Sequence, residues 1–145
     1  MKKIYTVTKP NLERFLQINE QLREAIVHSE AKCFSQFKDI SILQVHIILS
    51  VHFHQPCKMS QIAKSANLTL GSVTQIIDKL EDKNYVNRLR SKEDRRVVFV
   101  ELTEKGRKVV TANEQHVKQV GKEVMQKFSQ DEQRLFLDFF QRMAE

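Results

Sequence analysis

Apolar residues recur at helical spacing along most of the chain, and only two short stretches alternate instead. Leu12, Phe15, Leu16, Leu22 and Ile26 predict a long amphipathic first helix from about residue 10 to 32. Ser41 with Gln44 matches a capping box ahead of Leu43, Val45, Ile47, Ile48, Leu49 and Val51, so a heavily buried helix is expected over 41–53, broken at His54-Gln55-Pro56-Cys57. A short helix follows over 60–66, with Ile62 and Ala63 inward and no good cap at Lys58-Met59. Thr69 caps a fourth helix to about Lys83, with Val73, Ile76, Ile77 and Leu80 on its inner face.

The alternating, β-branched stretches 86–90 and 96–102 predict a two-stranded ribbon around the polar turn 91–95. Thr103 caps a helix over 104–127, buried through Val109, Val110, Val117, Val120, Val124 and Met125. Ser129 and Glu132 form a second capping box, opening a last helix with Leu135, Phe136, Phe139, Phe140 and Met143. The expected class is mainly α (α+β): a winged helix-turn-helix head over 41–103, and terminal helices over 1–35 and 104–145. Unless these terminal helices pack on each other within one chain, Leu12, Phe15, Leu22, Phe136, Phe139 and Phe140 stay uncovered, and a symmetric homodimer would bury them.

Residues 60–80 carry the helix-turn-helix signature. Ala63 is small where two short helices cross, and Asn67 suits a left-handed turn position. With the apolar positions turned inward, Thr69, Gly71, Ser72, Thr74, Gln75, Asp78 and Lys79 remain on the outer face. Short hydroxyls let a helix settle into the major groove. Gln75 can pair with adenine in two hydrogen bonds, Lys79 can reach a phosphate or guanine, and the amides near Leu70 and Gly71 can hold a phosphate.

Charge sharpens this picture. Residues 58–108 hold 12 Lys/Arg against 7 Asp/Glu, so five of the six net positive charges sit in that segment. Such a local excess is the footprint of polyanion binding. Arg88, Arg90, Lys92, Arg95 and Arg96 crowd the ribbon, where guanidinium groups suit a narrow minor groove. Asp94 is placed to hold Arg96 and aim Arg95.

On Ser60–Leu80, the run Leu80-Glu81-Asp82-Lys83-Asn84-Tyr85-Val86, Glu93-Asp94-Arg95-Arg96, and Leu102-Thr103-Glu104-Lys105-Gly106, the chain resembles the MarR family along nearly its full length. The resemblance implies a triangular homodimer with two winged heads, binding a pseudo-palindromic promoter site in double-stranded DNA. It implies release of such a repressor by a small ligand or an oxidant. By position, Ser72, Thr74, Gln75 and Lys79 would face the major groove, and Arg95 and Arg96 the wing tip. Asn67 and Asn84 depart from the family's frequent Gly, and Gln75 from its common Arg, which puts the base preference in doubt.

The remaining chemistry is sparse. The resemblance suggests an effector pocket among the first, second and fifth helices, with Phe34, Phe37 and Phe53 as candidate linings. Cys33 is a candidate redox thiol, with a bland part-buried role as the alternative. No metal is expected; Cys33, His46 and His116 form a weak alternative set without CxxC or HxxxH spacing. With two cysteines no disulfide framework is expected. There is no G-x-S-x-G, P-loop, HExxH or glycine-rich cofactor loop, so no enzyme and no cofactor are expected. No apolar run is long enough for a membrane span and no signal peptide is read, so a cytoplasmic location without membrane association is expected. The competing function is a winged-helix module for protein–protein contact without specific DNA binding.

Overall fold

A computed structural model describes residues 6–91 and 97–144. In chain order these form α1 (Lys9–Phe34), α2 (Ile42–Phe53), β1 (Cys57–Lys58), α3 (Met59–Ser65), α4 (Leu70–Asp82), β2 (Val86–Arg90), β3 (Val98–Leu102), α5 (Glu104–Met125) and α6 (Gln130–Ala144). The chain divides between Lys38 and Asp39 into two compact units.

The first unit is one long helix. Pro10 sits in the opening turn of α1, where a missing N–H costs nothing. Leu12, Phe15 and Leu22 are about half exposed, as are Leu16, Ile18, Ile26 and Val27, and Phe34 near the C-terminus is buried.

The second unit holds the core. The Ser41 hydroxyl accepts from Gln44 N at 3.3 Å, and Gln44 Oε1 accepts from Ser41 N at 3.0 Å, closing the expected capping box. This is why a glutamine can lie buried at the start of α2. Val45, Ile47, Ile48 and Val51 on α2 join Ile62, Val73, Ile77, Leu80, Val86, Val100, Leu102 and Val109 in an apolar interior. α3 packs against α4, and α2 against β3 and α5. Truncating one of the fully buried isoleucines or leucines to alanine would cost about 2–5 kcal/mol.

The sheet has one strand more than the sequence predicts. β3 lies between β2 and β1, antiparallel to both, with Arg88 opposite Val100 on one side and Cys57 opposite Val100 on the other. β1 is only two residues long, too short for alternation to register. α3 also begins without help from a side chain at its cap residue. Instead Gln61 Oε1 reaches back and accepts from Lys58 N at 2.8 Å.

Asn67 and Asn84 both take positive φ, at 53° and 61°. Each ends a helix with a closing bond five residues back, Leu68 N to Ala63 O at 2.9 Å and Tyr85 N to Leu80 O at 2.8 Å. Asparagine tolerates that backbone better than other side-chain-bearing residues.

Two expectations of burial are corrected. α5 is buried at Gly106, Val109 and Val110 only. Val117 is 59% exposed, and Val120, Val124 and Met125 are half-buried. Ile76 is half-buried rather than central. The fully buried core of this unit ends about two turns into α5, and beyond that point the apolar face is only partly covered among the described residues. α6 carries no buried residue.

Candidate nucleic-acid interface

α4 is anchored along one side and open along the other. Val73, Ile77 and Leu80 are buried, while Gly71, Thr74, Gln75, Asp78 and Lys79 are exposed. Its start is tightly capped: Thr69 Oγ1 accepts from Ser72 N at 3.1 Å and lies 2.8 Å from Ser72 Oγ. One turn on, Thr74 Oγ1 donates to Leu70 O at 2.8 Å. Three of the expected contact hydroxyls therefore shape the helix itself. Gly71, Gln75 and Lys79, four residues apart, form one exposed stripe along it.

Arg88, expected among the wing's DNA-binding cations, clasps α4 to β2. Its Nη2 lies 2.5 Å from Asp78 Oδ1 and donates to Thr74 O at 3.3 Å, and its Nη1 donates to Glu81 Oε2 at 2.8 Å. Glu81 Oε1 also accepts from Arg88 N at 3.1 Å. The guanidinium fork is matched by two carboxylates and a carbonyl, so its charge is spent inside the chain. Arg90 is exposed. Lys92, Asp94, Arg95 and Arg96 lie outside the described residues.

Beside α4 runs a groove of about 490 Å³, lined by Lys58, Met59, Ser60, Leu70, Thr74 and Arg88 among others. Leu70 contributes more than the backbone amide expected of it. Its side chain is 53% exposed and forms part of this groove wall.

Beneath the base of the ribbon lies a polar cluster that the sequence did not reveal. Tyr85 Oη donates to Asp39 Oδ1 at 2.7 Å, Lys105 Nζ donates to Asp39 Oδ2 at 2.8 Å, and Lys83 Nζ donates to the Asp39 carbonyl. Lys105 Nζ also donates to Lys83 O at 3.1 Å and sits 4.1 Å from the centre of the Tyr85 ring. The hydrogen bonds from Lys105 and then Tyr85 hold the Asp39 carboxyl below the usual carboxylate range. The bond to Asp39 raises Lys105, while burial, followed by the bond to Asp39, raises the Tyr85 phenol. The sequence signal lay in Gly106. A Cβ there would stand 2.2 Å from Tyr85 O, so the close pass of α5 over Tyr85 demands glycine.

On α6, Phe139 and Phe140 are about half exposed, whereas Phe136 is half-buried in a stack with Phe128 at 5.2 Å and Phe140 at 4.9 Å. Cys33 is half-buried, and burial together with the Glu30 carboxylate pushes its thiol up, opposite to what a reactive thiolate requires. Cys57 is buried in β1 and is raised by that burial. His46 is exposed and His116 half-buried. Among the described residues, no group of three or more His, Cys, Asp or Glu is placed to hold a metal ion. None of the described helices is long and apolar enough to cross a membrane.

A helix-turn-helix with one open helix face, followed by a β-ribbon, defines a winged helix-turn-helix DNA-binding protein. The MarR family model matches residues 40–98. The solved structure of Streptococcus pneumoniae FabT in complex with DNA is 32% identical, covers 90% of this chain and 94% of FabT, and superposes with a TM-score of 0.75. The chain belongs to the MarR family of transcriptional regulators. Among curated relatives, the helix-turn-helix-type transcriptional regulator PchR of Bacillus subtilis (strain 168) is 27% identical over 139 residues, covering 90% of this chain and 82% of PchR. The uncharacterized regulator YdgJ of the same organism is 28% identical over 110 residues, 76% of this chain and 67% of YdgJ.

Proposed function

We propose that this DNA-binding regulator acts in the cytoplasm as a homodimeric repressor of a pseudo-palindromic operator. In this reading the head, residues 41–103, sets α4 into the major groove, with Gln75 reading a base edge and Lys79 meeting a phosphate. Arg90, together with Lys92, Arg95 and Arg96, enters the adjoining minor groove. Arg88 contributes by fixing the angle between α4 and the ribbon. The observation that carries the reading is the exposed Gly71–Gln75–Lys79 stripe on a helix whose opposite face is core.

The regions 1–35 and 104–145 serve dimerisation in this proposal. It is supported by the exposed Leu12, Phe15 and Leu22 of α1 and the exposed Phe139 and Phe140 of α6. More apolar surface stands open on these helices than a lone chain in water would keep. Release by a small ligand is supported by a cavity of about 390 Å³ between α2 and α5, lined by Leu49, His52, Phe53, Val110 and Val117 among others. Phe53 is thus the one of the three suggested aromatics found lining it. The raised Cys33 thiol favours a ligand over an oxidant as the releasing signal.

Selection from random duplexes tests this function. A repressor of this kind enriches a two-fold site whose half-sites lie about one helical turn apart. Enrichment of no sequence, with binding that depends on salt alone, would instead favour a protein-contact module.

A further inference from the structure

Nothing among the described residues requires Gly71 to be glycine. It lies in the first turn of α4, on the exposed face, and no glycine among the described residues has positive φ. Among the described residues, a Cβ built there meets nothing within 4 Å. Gly106 is the contrast, since a Cβ there would collide with Tyr85 O at 2.2 Å. Helical glycine is less stable than alanine, because more backbone freedom is lost on folding. At Gly71 that loss is not offset by any contact among the described residues.

The surroundings say what would gain from it. Thr69 and Ser72 are tied into the cap, and Leu70 turns into the groove wall. Around Gly71 the first turn of α4 therefore presents bare main chain, at the head of the stripe that continues through Gln75 and Lys79. Recognition helices meet base edges with their N-terminal residues, so this is the turn that must come closest to a duplex.

We propose that Gly71 sets the depth of α4 in the major groove. Its Cα rests against the deoxyribose–phosphate strand of the DNA, and that seating is what lets Gln75 reach a base edge. A methyl group here would hold the helix off by about its own thickness, beyond the narrow distance range of a hydrogen bond. Gly71 is then a positioning residue acting through Gln75, and the inference rests on α4 being the DNA-reading helix.

A double-mutant cycle on the full-length protein tests it, using the duplex enriched by the wild-type protein as probe. Gly71→Ala is expected to keep the circular dichroism spectrum and raise the thermal midpoint by about 2–4 °C. It should also weaken operator binding by at least about fivefold, the lower bound for losing one base contact. In that background Gln75→Ala should cost less than half the fold-loss it causes alone. A loss below fivefold, additive effects of the two substitutions, or a lowered thermal midpoint would each overturn the proposal. If the wild-type protein enriches no duplex, the DNA-reading assignment of α4 fails, and this inference with it. An enriched duplex bound normally by Gly71→Ala would overturn this inference alone.

Discussion

Tyr85, at the mouth of β2, donates its phenolic hydrogen to Asp39 at 2.7 Å, across 46 residues of sequence. Lys105 at the start of α5 holds the other carboxylate oxygen. The end of α4, the start of the ribbon and the start of α5 are thus tied to the residue that opens the second compact unit.

This cluster gives a signed pH dependence. The folded state lowers the Asp39 carboxyl, so its contribution is present above the ordinary carboxylate range and lost as pH falls through and below it. Lys105 and Tyr85 are raised, so their contributions are complete below about pH 10 and lost at higher pH. Asp39→Asn should lower stability at neutral pH and flatten both limbs of the stability curve. Chemical denaturation across pH checks this; limbs as steep as those of the wild type would contradict it.

Gly106→Ala should be the most damaging single-methyl change in the head. The added carbon would sit 2.2 Å from Tyr85 O and 3.3 Å from Leu102 Cδ2, and Tyr85 O also accepts from Thr103 N. A backbone oxygen cannot rotate away like a side chain, so a loss of about 1–3 kcal/mol or more is expected in urea titrations. Gly71→Ala, by comparison, should stabilise.

Arg88→Ala and Lys79→Ala should separate a clasp from a phosphate contact. Losing Arg88 leaves Asp78 and Glu81 facing each other without their cation, so thermal stability and operator affinity should both fall. The slope of log affinity against log salt should stay near that of the wild type. Lys79→Ala should leave stability within about 0.5 kcal/mol and reduce that slope by about one. Equal slope changes in both variants would contradict the division of roles.

Charges placed on α6 should split the dimer. Leu135 and Phe139 are four residues apart and more than half exposed, so Leu135→Glu with Phe139→Glu removes an apolar face without entering a core. Sedimentation should show a folded monomer at micromolar concentration with weakened operator binding. A variant still dimeric at that concentration would show that α6 is not at the interface. Phe136 is unsuited to the test, because it stacks within its own chain.

What was legible in the sequence was local or periodic. Helix ends announced themselves through Ser41 with Gln44, Thr69, Thr103 and the two left-handed asparagines, since each cap is built from residues close in the chain. β1 was not legible, because two residues become a strand only when Val100 and Phe99 arrive beside them. Arg88 read as one basic residue among others; the Asp78 and Glu81 that claim it lie on the preceding helix. The far face of α5 was over-assigned to the interior, because an apolar stripe looks the same whether its own chain or another body covers it.

The most direct measurement of the central claim is a side-by-side selection from random duplexes with the wild-type protein and Gln75→Ala. The wild type should enrich a two-fold site, and the variant should relax its choice at one base position per half-site, a loss of about 1–3 kcal/mol. Identical enriched sites for both proteins would show that the exposed face of α4 does not read the base sequence.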